Sequence, residues 1–101
     1  VKGASIFYPS ARNPYVSRLS RSSKRLSKKL LNAYCKKTRI KKRGCSGRDD
    51  LTGTNWSKIP VTLIECGFLS NPSEDRKLQN KSFQKKMAVG MANGVDAYFG
   101  Y

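Results

Sequence analysis

At 101 residues, 38% of them hydrophobic, the chain can form one small domain or half of a larger one, with only a modest core. Its 21 Lys and Arg against 6 Asp and Glu give a net charge of +15 with no histidine, so it should be drawn to polyanions: nucleic acid, anionic lipid or anionic cell-wall polymer. No apolar run approaches the roughly 20 residues that span a bilayer, and no start resembles a signal peptide. Without histidine, the three cysteines, spaced unlike a CxxC pair, count against a zinc site built by this chain alone.

The chain opens on Val1 rather than Met, which points to a processed, excised or truncated product. Residues 4–8, ASIFY, are short, apolar and aromatic and run into Pro9 and a turn-rich SARNP, the pattern of a strand and its exit loop. Asn13 followed by Pro14 reads as an N-cap and a first-turn proline, so a helix is predicted to begin there. Val16, Leu19, Leu26, Leu30 and Tyr34, with Ser23 and Ala33 between them, mark one face of a long helix. Arg18, Arg21, Lys24, Arg25, Lys28 and Lys29 fill most of its remaining circumference, while Lys36 and Lys37 suit the negative end of its dipole. This reads first as the solvated face of an amphipathic helix and second as a binding surface.

Residues 36–60 are polar and glycine-containing, with few periodic apolar positions, and are predicted as a long loop. Loops of that length are often functional, which singles out Asp49, Asp50, Asn55 and Trp56. The tryptophan reads as an anchor pinning the loop to the body rather than as a substrate platform. Cys35 and Cys45 can pair or stay free, whereas Cys66 lies in an apolar run and reads as core. That run, VTLIECGF, has the composition of a buried strand, and Asn71, Pro72 and Glu74 then form a helix-start signature. A last helix carries Phe83, Met87, Met91, Val95 and Tyr98 at intervals of three and four, with Gly90 and Gly94 beside them for close packing. The predicted order is strand, long helix, loop, strand and two helices. A strand, a long helix and a second apolar strand favour a parallel pair joined by a crossover, with both faces covered and further strands supplied from elsewhere.

Glu65 ends the second apolar strand just before Gly67. In open α/β sheets ligands bind outside the carboxyl ends of strands, and a partly desolvated carboxylate there is suited to general acid or base work. Pairing with one of the many basic residues is an equal alternative.

The stretches IPVTLIECGFLSNPSEDRKL, RDDLTGTNW and FQKKMAVGMANGVDAYF resemble the C-terminal half of the zinc-dependent N-acetylmuramoyl-L-alanine amidases of the amidase_3 type, and the opening GASIFYP is similar to that family's glycine-then-aromatic strand. The most specific element is Glu-x-Gly-Phe-x-Ser-Asn. The resemblance implies an α/β fold with a mostly parallel twisted sheet flanked by helices, of which residues 1–101 form the C-terminal portion of a single catalytic domain. It implies hydrolysis of the peptidoglycan amide between the lactyl group of N-acetylmuramic acid and L-alanine, by enzymes that serve as autolysins, sporulation enzymes or phage endolysins. In that family two histidines and a glutamate hold zinc, and a second glutamate, which maps onto Glu65, shuttles the proton. The ligand-bearing positions precede the segment equivalent to Gly3. Zinc is therefore expected in the complete domain and not on this chain alone, which should be inactive without the missing N-terminal half. Ser5 stands where relatives often carry an acid, and Cys66 where they carry an aliphatic residue. The expected partners are peptidoglycan, anionic wall polymers and that N-terminal half, in an extracellular or wall setting. The competing reading is a noncatalytic polyanion-binding module. Its charge would give nonspecific nucleic-acid binding, but it lacks a recognition helix or an aromatic platform.

Overall fold

The computed structural model describes residues 3–65, 76–77 and 79–100. Strand β1 (Ala4–Tyr8) leads through a turn and a 3-10 segment (Ser17–Leu19) into helix α1 (Ser20–Thr38). Strand β2 (Lys42–Gly47), a one-turn helix α2 (Thr52–Asn55), strand β3 (Leu63–Glu65) and helix α3 (Lys81–Phe99) follow. The sheet order is β2-β1-β3, with β1 parallel to β2 and antiparallel to β3. The class is α/β, as expected, but the described sheet is mixed.

Alternation along β1 sends Ala4, Ile6 and Tyr8 to a buried face and leaves Ser5 and Phe7 half-buried on the other. On the buried face, Ala4 and Ile6 join Leu30, Leu31 and Tyr34 of α1 and Ile40 in one cluster. Asn13 caps as predicted: its side-chain oxygen accepts from the Tyr15 and Val16 backbone N–H groups, each at 2.8 Å. The cap opens a turn and the 3-10 segment first, so regular α-helix starts only at Ser20.

The helix face turned inward is richer in serine than its apolar periodicity implied. Ser20, Ser23 and Ser27 are buried beside the leucines. Ser27 donates to the Ser23 carbonyl at 2.7 Å and lies 2.8 Å from the Thr62 hydroxyl, while Ser23 Oγ accepts from the Val61 N–H at 2.9 Å. Burying a hydroxyl is costly unless it is hydrogen-bonded, and here two of them fasten the segment that enters β3 onto α1.

Two expectations are corrected. Residues 36–60 are not one long loop: they hold β2 and α2, and β2 is the parallel partner of β1 across the α1 crossover. Its sequence, KRGCSG, hides this, because an edge strand keeps Lys42 and Arg43 in solvent. A register shift in the pairing with Ala4 and Ser5, beside Gly44 (φ 141°), interrupts the alternation as well. The apolar strand β3 is neither parallel nor buried on both faces. It is a three-residue edge strand running antiparallel to β1, with Leu63 42% exposed. An apolar run reports burial tendency but not direction, and β2 already occupies the other side of β1.

Helix α3 is capped at its start by Asn80, whose side-chain oxygen accepts from Phe83 N at 3.0 Å, and ends at Gly100 in the left-handed conformation. Phe83, Met87 and Met91 pack against the core, as their spacing predicts. Val95 faces outward instead, and Tyr98 lies beneath the Arg25 guanidinium, 4.6 Å from the ring centre. Gly90 and Gly94 are buried where α3 meets α1. A Cβ on Gly94 would fall 2.5 Å from Leu30 Cα, and one on Gly90 3.0 Å from Tyr34 Cα. The predicted helix start at Asn71, Pro72 and Glu74, and the core assignment of Cys66, lie outside the described residues.

Candidate functional site

Glu65 is the last residue of β3 and pairs in register with Ser5, as Leu63 pairs with Phe7. By strand alternation these four residues share the face of the sheet turned away from the Ala4–Ile6 cluster. The carboxylate is exposed, so the described residues do not supply the desolvation expected of it. Because β3 runs antiparallel, Glu65 stands at its own strand's carboxyl end but at the amino end of β1 and β2.

One further charged group reaches this face, and the sequence did not single it out. Arg48, just after β2, lies with its guanidinium 5.1 Å from the centre of the Phe7 ring. It forms a two-pronged ion pair with Asp50, Nε to Oδ1 at 2.7 Å and Nη2 to Oδ2 at 3.0 Å. The Asp50 hydrogen bond chiefly holds the guanidinium above its ordinary pKa, with a smaller pull from Glu65. The same bond holds Asp50 below the usual carboxylate range. Glu65 therefore shares its face with a fixed, fully charged cation.

Asp49, also flagged in the sequence, does a different job. It accepts from both the backbone N–H and the hydroxyl of Ser10 and from Asn13 Nδ2 at 2.7 Å. Asn13 Nδ2 also donates to Asn55 Oδ1 at 2.8 Å, and Asn55 Nδ2 returns to the Asp49 carbonyl at 2.8 Å. The Ser10 bonds, with the Asn13 bond adding to them, hold Asp49 below the usual carboxylate range. Asp49 and Asn55 thus clamp the α2 region to the loop after β1. Trp56 does not anchor that region: it is 83% exposed. Cys35 and Cys45 are free thiols, and burial pushes both above the ordinary thiol pKa, so they stay protonated at neutral pH.

Helices α1 and α3 gather on one face of the sheet and the Glu65 carboxylate stands on the other, an α/β arrangement. Solved structures of amidases share this architecture. The structure of the CwlD amidase from Clostridioides difficile, in complex with the GerS lipoprotein, superposes with a TM-score of 0.85 at 32% identity, covering 99% of this chain and 47% of that one. An N-acetylmuramoyl-L-alanine amidase from Clostridium difficile 630 gives 0.83 at 27% identity, covering 99% and 50%. AmiA of Salmonella typhimurium is 44% identical over 41 residues, which is 41% of this chain and 14% of that protein. The family model of Amidase_3, N-acetylmuramoyl-L-alanine amidase, matches residues 1–97, and the chain belongs to that family. It spans about half the length of the solved relatives.

The family resemblance implies zinc, and the donor set can be tested against it. The sequence holds no histidine, and among the described residues no three His, Cys, Asp or Glu side chains converge as a metal would need. The described residues do not fit a zinc centre. Among the described residues, no helix is long and apolar enough to cross a membrane.

Proposed function

We propose that residues 1–101 are the C-terminal portion of one amidase catalytic domain that cleaves the lactyl to L-alanine amide of peptidoglycan in the cell wall. Glu65 is its proton-transfer carboxylate. The observation that carries this reading is the place of Glu65, at a strand end on the helix-free face, within a chain matched to the amidase family over 97 residues. Any metal ligands come from the part of the domain that the longer relatives possess and this stretch does not match, so this chain contributes the proton chemistry alone.

A water molecule attacking the lactyl carbonyl must lose a proton as its oxygen bonds to carbon, and the alanine nitrogen must gain one as the C–N bond breaks. An exposed carboxylate on an otherwise open sheet face can do both in turn, as base and then as acid. The family match supports this reading over a separate nucleic-acid module, and the charge of +15 serves attraction to an anionic wall.

The test is Glu65→Gln in the protein carrying the whole catalytic domain, assayed by release of alanine amino termini from purified peptidoglycan. General acid–base catalysis contributes about 10²–10⁴-fold, so a loss of that order is expected with the fold and metal content unchanged. Turnover close to wild type would remove Glu65 from the chemistry.

A further inference from the structure

Two hollows follow one another along the seam between α1 and β2, at the sheet edge opposite β3. One, of about 620 Å³, has Arg21 and Lys24 of the helix and Gly47 of the strand in its lining. The next, of about 250 Å³, has Lys28 and Asn32 of the helix and Lys42, Gly44 and Cys45 of the strand. Residues 21, 24, 28 and 32 are three or four apart, so they form one stripe over about 16 Å of the helix. On the strand side, Gly44, Cys45 and Gly47 keep the wall low. Lys42 Nζ donates to Asn32 Oδ1 at 2.9 Å and ties the two walls together at one end. The result is a shallow groove with Arg21, Lys24, Lys28 and Lys42 along it, all exposed.

The needs of the fold do not account for this charge. Helix α1 contains no acid, so Arg21, Lys24 and Lys28 repel one another along the stripe without the partner that an acid one turn away would supply. Arg21 also stands in the first turn, where the helix dipole is positive and a cation is unfavourable. The described acids are engaged or lie elsewhere. Asp49 accepts from Ser10 and Asn13, Asp50 is paired with Arg48, Glu65 ends the strand at the other edge, and Asp96 is on α3. Among the described residues, then, no carboxylate neutralises the groove. An anion laid along it relieves both the repulsion and the unfavourable dipole contact.

We propose that this groove binds a linear chain of phosphodiesters without bases, a polyol-phosphate polymer; that such a polymer surrounds the protein rests on the proposed cell-wall function. A row of cations along a groove suits a flexible chain that repeats one charge per short unit better than a single compact anion. Lysine takes phosphate oxygens as a point charge and arginine as a fork. Single-stranded nucleic acid shares the phosphodiesters but draws much of its hold from aromatic stacking. Among the described residues lining the groove, the one aromatic, Tyr8, is only 8% exposed, and the exposed Tyr15 and Trp56 do not line it. Binding here keeps the protein at anionic regions of the wall without involving Glu65.

Fluorescence polarisation with a labelled glycerol-phosphate oligomer and the protein carrying the whole catalytic domain tests this, over a series of salt concentrations. Saturable binding that weakens as salt rises is expected. Lys24→Gln combined with Lys28→Gln should weaken it about tenfold or more and make the salt dependence shallower. Lys81→Gln combined with Lys85→Gln removes the same charge from exposed positions on α3 and should change binding by less than about twofold. A single-stranded oligonucleotide and a polyglutamate of equal charge should both bind more weakly than the oligomer. The same loss in the two double variants would reduce the effect to net charge and overturn the proposal. Equal or tighter binding of the oligonucleotide or the polyglutamate would assign another partner and overturn it too, as would an absence of saturable binding. None of these readouts depends on amidase activity, so the proposal can fail while the role of Glu65 stands.

Discussion

The two faces of the central strand are built to different standards. On one, Ala4 and Ile6 are sealed beneath Leu30, Leu31 and Tyr34, and α3 approaches α1 so closely that only glycine fits at position 94. On the other, Ser5 and Phe7 are half-buried, Leu63 and Glu65 are exposed, and Arg48 lies across Phe7. Among the described residues, the helix-covered face holds the buried cluster, whereas the other face presents Ser5, Phe7, Leu63 and Glu65 more openly. The proposed role of Glu65 places chemistry on the second face and leaves the first to hold the backbone in place.

Substitutions that treat the faces alike should therefore give unlike results. The largest effect is expected from Ile6→Ala, which empties a fully buried position and should cost about 2–5 kcal/mol in denaturant unfolding. Leu63→Ala, on the same sheet but on the open face, should stay within about 0.5 kcal/mol. Equal losses would erase the distinction.

Next comes Gly94→Ala. The added methyl meets the Leu30 backbone, which cannot step aside as a flexible side chain could, and overpacking of this kind costs about 1–3 kcal/mol. Gly53→Ala in α2 adds the same methyl to open space and should be neutral or stabilising by about 0.4–1 kcal/mol. A thermal melt of the two variants decides whether helix contact, rather than helix propensity, fixes Gly94.

The smallest effect concerns pH. Asp49 is held below the ordinary aspartate range in the folded chain, so the folded state binds fewer protons there than the unfolded state. Its contribution is present above the ordinary aspartate pKa and is lost as pH falls through the lowered folded value. Asp49→Asn should accordingly melt lower than wild type near neutrality and show a flatter decline in melting temperature below about pH 4. Parallel declines would mean that the Ser10 and Asn13 contacts contribute nothing through the charge.

The sequence made the strongly periodic elements legible. Strand β1, the long basic helix, the Phe83–Met87–Met91 stripe and the close approach at Gly90 and Gly94 all followed from spacing and composition. The Asn13 cap was legible as chemistry, although the helix it precedes starts later. What stayed hidden was decided by pairing rather than pattern. Strand β2 is an edge strand whose lysine, arginine and glycines read as loop, and it took the parallel position beside β1 that apolar β3 had seemed entitled to. The bonds that Ser23 and Ser27 make were hidden because their partners, Val61 and Thr62, lie more than thirty residues away. At the candidate site, the motif singled out Glu65 but not its exposure or its antiparallel pairing with Ser5. Arg48 was not, because its place over Phe7 depends on where β2 ends.

The central claim, that the open face does the chemistry and the covered face holds the fold, is tested most directly by one paired measurement in the protein carrying the whole catalytic domain. Turnover per folded molecule and melting temperature are recorded for Glu65→Gln and Ile6→Val. The account predicts that Glu65→Gln loses turnover by orders of magnitude at an unchanged melting temperature, while Ile6→Val melts lower and turns over normally per folded molecule. If Glu65→Gln kept its turnover, or lost it only in proportion to lost folded protein, the account would be contradicted.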